Sequence, residues 1–167
     1  MIIQLKKAKD APSTLICIRP DGSRTWGKLH PFFPAHDLTH CAAESILGFR
    51  QGFFGLVASG WNIDDFTLRG AARRLPAEAA WAESIVGILD QERAAGRVFP
   101  AAEFNEALSE SLRGQGVTAF RQLTEEELAG IRTLRGRLIR AWQTLGAGQT
   151  LEVAFPAGPE DDPRMNA

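Results

Sequence analysis

The sequence has almost no net charge: Lys and Arg number 19, Asp and Glu 20, and the formal charge is −1. A phosphate-binding surface needs an excess of Lys and Arg, so nucleic acid is not expected as a partner. Long apolar runs are also missing. The longest nearly uncharged stretch, Gly52 to Ile63, falls well short of the about 18 to 20 residues that a membrane-crossing helix needs. At the N-terminus the apolar run is short, and Lys6 and Lys7 follow it instead of preceding it, which is the wrong order for an export signal. Cysteine is scarce, and Cys17 and Cys41 form no C-x-x-C pair; in an unexported, cytoplasmic chain they are expected to be buried, reduced thiols. No serine occupies a G-x-S-x-G elbow, and Gly48, Gly52, Gly55 and Gly60 do not fit a dinucleotide or phosphate loop.

What is present is ordinary globular material, 44% hydrophobic and 23% charged, in a length suited to one core. Strand-type alternation covers Ile2 to Lys6, Thr14 to Arg19 and Arg24 to Leu29. Asp21-Gly22 between the last two predicts a type I′ hairpin. Pro31 and Pro34 then break the pattern, and helical spacing follows. Helices are expected from about Pro34 to Phe49, over Gly52 to Gly60, from Pro76 to Ala95 and after Pro100 to Gly114. A last helix should start at the capping box of Thr124 and Glu127, stapled by Leu123 and Leu128, and run to Leu145. Leu151, Val153 and Phe155 alternate as a strand that returns to the N-terminal sheet. The result is an α+β domain over residues 1–155, with an antiparallel sheet of three N-terminal strands and one C-terminal strand against about five helices. Residues 156–167, with three prolines and Glu160-Asp161-Asp162, read as a mobile tail.

All three histidines, His30, His36 and His40, fall within eleven residues. Residues four apart share a helix face, so His36 and His40 can offer two imidazoles to zinc or another divalent transition metal. Glu44 continues the series, but its distance along the axis suits it better to holding the far ring nitrogen of His40 than to binding the ion. His30, or an acid from elsewhere in the chain, would supply a third ligand. Asp37 stands where a zinc hydrolase carries its glutamate base and is one methylene shorter. Two helix starts are open: Pro34 as first helical residue keeps both histidines helical, whereas Asp37 as N-cap leaves His36 outside. The His face lies about 140° or more from the Leu38, Ala42 and Phe49 stripe and so is not expected to point at the core.

The alternative is that the histidines are structural and the chain is a non-catalytic interaction or homodimerisation module, with Phe53, Phe54 and Trp61 as interface aromatics. Arg132, Arg135, Arg137 and Arg140 are spread around the last helix and read as a solvated face.

The order Phe-Phe-Pro-x-His-Asp-Leu-x-His, then Gly-Phe-Phe-Gly-Leu and Gly-Trp, between Phe32 and Trp61 resembles segments of small bacterial proteins of uncharacterised function. That resemblance implies no activity. The His-x-x-x-His pair alone is similar to zincin-type metal helices.

Overall fold

The four strands are β1 (Ile2–Lys6), β2 (Ser13–Ile18), β3 (Arg24–Leu29) and β4 (Thr150–Ala154), with apolar side chains alternating in β1, β2 and β4. In this computed structural model, which describes residues 1–29, 33–118 and 120–156, they make one antiparallel sheet in the order β3-β2-β1-β4. The register sets Ile3 opposite Cys17 and Val153, and Leu5 opposite Leu15 and Leu151, so one face carries the apolar set into the core. Cys17 and Cys41 are buried free thiols, and burial pushes each up to about 12.

The β2–β3 turn differs from the expected type I′. Gly22 has φ of +82° but no other residue there has positive φ. The amide of Gly22 donates to the Arg19 carbonyl at 3.0 Å and that of Arg19 to the Ser23 carbonyl at 2.9 Å. This is a three-residue loop with glycine in the bulge position. Proline at position 20 fixes a negative φ that suits the first corner of a type I turn, and Asp21 Oδ1 holds the Ser23 amide.

Among the described residues there are five α-helices: α1 (Phe33–Leu47), α2 (Phe53–Ala58), α3 (Ala77–Ala95), α4 (Ala101–Gly114) and α5 (Glu125–Thr144). Pro76 is the N-cap of α3 instead of its first helical residue, and α4 follows Pro100, its N-cap, as expected. The Thr124–Glu127 capping box is formed in both directions, and Leu123 and Leu128 are buried beside it. None of the helices is long and apolar enough to cross a membrane.

The placement of α1 decides the site. It packs against α5, α3 and α2, and α3 and α2 reach the edge that carries His36, His40 and Glu44. Its polar face is therefore buried, contrary to the expectation from the apolar stripe: His40 is 4% and Glu44 0% exposed. Arg132 also departs from a solvated role. It reaches back to the buried Glu92 at 2.6 Å and the Phe99 carbonyl at 2.7 Å, while Arg135 donates to the Leu89 carbonyl, fastening α5 to α3. Phe54 is fully buried, and Phe53 and Trp61 stack on Phe66 at 4.8 and 5.3 Å between ring centroids.

Candidate metal centre

Helix α1 starts at Phe33, ahead of Asp37, so His36, His40 and Glu44 all lie on continuous helix. Their ring and carboxylate groups line up along one edge, with the two imidazole centroids 4.9 Å apart. Helix α3 runs past them in the opposite direction. It supplies Asp90 opposite His36 and Glu83 opposite both histidines.

Each imidazole is held at Nδ1 by its own carboxylate. His36 Nδ1 is 2.9 Å from Asp90 Oδ2, and His40 Nδ1 is 3.2 Å from Glu44 Oε1. Both Nε2 atoms face Glu83: His40 Nε2 is 3.2 Å from Oε2 and His36 Nε2 is 3.8 Å from Oε1. A carboxylate oxygen facing an imidazole Nε2 is favourable when that nitrogen carries a proton or when a cation lies between them. His36, His40 and Glu83 bring one ligand atom each to within 4.8 Å of one another. Two ligand atoms on a tetrahedral ion at about 2.0 to 2.1 Å sit roughly 3.3 Å apart, so a bound ion would draw these three groups somewhat closer together.

Glu44 is fixed from its other oxygen as well, because Oε2 accepts the Gly55 amide at 3.0 Å. That amide is one of the orphan donors in the first turn of α2. Gly52, just before α2, leaves room for the carboxylate: a Cβ there would stand 2.5 Å from Glu44 Cδ. The glycines of the Gly-Phe-Phe-Gly segment thus shape the far side of the site. A Cβ at Gly55 would meet the Arg50 backbone at 2.3 Å, so close packing also requires glycine there.

The local field favours positive charge. Burial by itself lowers the His40 pKa, but the hydrogen bonds and charges of Glu44 and Glu83 outweigh it and raise the value to about 10. The same His40 hydrogen bond pulls Glu83 below the ordinary carboxylate range. Burial raises Asp90, and its hydrogen bond to His36 with the nearby positive charges reverses the sign to a net lowering.

Asp37 is buried behind this set and is pushed up to about 6, chiefly by burial. It is not one of the three converging residues. His30 lies outside the described residues, as do residues 157–167 of the expected tail. The sequence reading did not identify Glu83 or Asp90. The one signal they carry is their spacing of seven on α3, which puts two acids on the same face.

Glu83 is largely exposed, with 64% of its side chain accessible, so the centre opens to the surface on this side while His40 stays covered. Beside it lies a mostly apolar pocket of about 390 Å³, with His40 and Glu83 both in its wall. No family model, curated protein or solved structure matches the chain.

Proposed function

We propose that the protein binds one divalent transition metal, zinc or a neighbour of it, through Nε2 of His36, Nε2 of His40 and the carboxylate of Glu83. The observation that carries this reading is the pairing of both Nδ1 atoms with carboxylates while both Nε2 atoms face a third carboxylate. In metal sites a carboxylate on the far nitrogen fixes the tautomer and the ring orientation, and here Asp90 and Glu44 take that part. Two histidines and one carboxylate suit zinc, and also iron(II) with open positions. Three protein ligands leave room for water or a small molecule on the exposed Glu83 side, which is the arrangement of a catalytic and not a closed structural centre. The two reduced thiols fit a cytoplasmic setting.

A second reading has a specific observation behind it. His40 engages carboxylates at both nitrogens, and a protonated imidazole between Glu44 and Glu83 would satisfy the pair without any metal, as a structural ion-pair network. Metal analysis of untagged protein purified without chelator separates the two. About one equivalent of zinc, iron, nickel or manganese, together with a metal-dependent rise in melting temperature, supports the centre. Less than about a tenth of an equivalent, with no stabilisation on adding these ions, supports the ion-pair network.

A further inference from the structure

Building on the metal centre proposed above, we infer that the adjoining pocket holds the alkyl or acyl chain of a small molecule whose head group is neutral and reaches the metal. The pocket is about 390 Å³, within the lower part of the range for small-ligand sites. Its apolar wall is made by Phe53, Phe66, Leu75, Ala79, Ala80 and Val117. Its polar lining is confined to His40 and Glu83, which touch each other, and to Gln115, whose amide is tied to the hydroxyl of Ser84 at 2.9 Å. A molecule in this space therefore buries an apolar body and presents one polar end to the His40–Glu83 pair.

Charge selects the head. Glu44, Glu83 and Asp90 contribute three negative charges to the centre, a divalent ion returns two, and Arg93 beside Asp90 is the one Lys or Arg paired with them among the described residues. The loaded centre then has no surplus positive charge to attract an anion. A neutral carbonyl-type head, such as an amide, ester or ketone, fits better than a carboxylate or phosphate.

The test uses the metal-loaded full chain and a series of primary alkyl amides, from acetamide through butanamide and hexanamide to octanamide, with the fatty acids of equal length beside them. Binding is measured by calorimetry, and metal content is measured on the same samples. The expected affinity rises about fourfold per methylene until the pocket is full, and each amide binds more tightly than the matching fatty acid. Ala79→Leu or Ala80→Leu, which fill the pocket, should remove most of the gain with chain length while the metal content stays unchanged. Metal bound with a flat chain-length response overturns the pocket assignment and leaves the metal centre standing. A gain that persists in both filled variants also overturns it, and tighter binding of the fatty acids overturns the neutral head. Absence of bound metal in the wild type overturns the centre itself, and the metal content identifies that case.

Discussion

Gly52 and Glu44 are matched in shape: the space where a side chain at Gly52 would begin is filled by the Glu44 carboxylate, 2.5 Å from an ideal Cβ. Glu44 is completely buried and bonded at both oxygens, to His40 and to the Gly55 amide, so it has nowhere to retreat. Gly52→Ala should cost about 1 to 3 kcal/mol of stability by overpacking. It should also weaken metal binding, because the carboxylate that orients His40 is displaced. Urea denaturation and a chelator competition on the same variant check both effects. A variant with unchanged metal affinity would mean that Glu44 does not orient His40.

Asp90 tests the other imidazole. It is partly exposed and holds Nδ1 of His36 at 2.9 Å, so Asp90→Ala should fold normally and lower metal affinity about 10- to 100-fold, the usual effect of losing such a partner. Chelator competition measures it. An unaltered affinity would remove Asp90 from the site.

Arg132 is expected to matter for the fold and not for the metal. Its guanidinium pairs with Glu92, whose side chain is 2% exposed, and caps the Phe99 carbonyl. Arg132→Ala leaves that acid buried without its partner and should cost about 3 to 5 kcal/mol in chemical denaturation, with metal content retained in the folded fraction.

Glu127 gives a pH signature. Its hydrogen bond to Arg121 is the main cause; burial opposes it and is next in size, and the Thr124 amide adds to the lowering, which brings the pKa to about 2. A carboxylate depressed on folding adds stability above its unfolded pKa of about 4.3, and that contribution is lost as pH falls towards the folded value. The difference in unfolding free energy between wild type and Glu127→Gln should therefore be constant above about pH 5 and shrink between about pH 4 and 2. Denaturation curves taken across that window check it, and a difference that grows on acidification would contradict the assignment.

Much of this was legible in the chain itself, for local reasons. Strand alternation at Ile3, Leu5, Leu15 and Cys17 and the Thr124–Glu127 box are patterns of neighbouring residues, and both reappear in the structure. The spacing of His36, His40 and Glu44 is local too, and it puts the His40–Glu44 hydrogen bond within one helix. Glu83 and Asp90 were not legible, because they lie 43 and 54 residues beyond their histidine partners and meet them only when α3 packs on α1. On an isolated amphipathic helix the same two acids look like a solvated face. The burial of His40 was missed for a related reason. A stripe at 3.6-residue spacing locates one core face, and α3 and α2 reach the edge of α1 outside it. Likewise Arg132 and Arg135 look solvent-facing until the partner across the helix interface is known.

X-ray absorption at the zinc edge of the zinc-loaded protein bears most directly on the proposed centre. The expected spectrum has nitrogen and oxygen neighbours at about 2.0 to 2.1 Å, the outer-shell pattern of two imidazoles and no sulfur; His36→Ala and His40→Ala should each remove one imidazole contribution or the bound zinc altogether. A sulfur shell near 2.3 Å, an ion surrounded by oxygen alone, or a spectrum unmoved by either histidine substitution would contradict it.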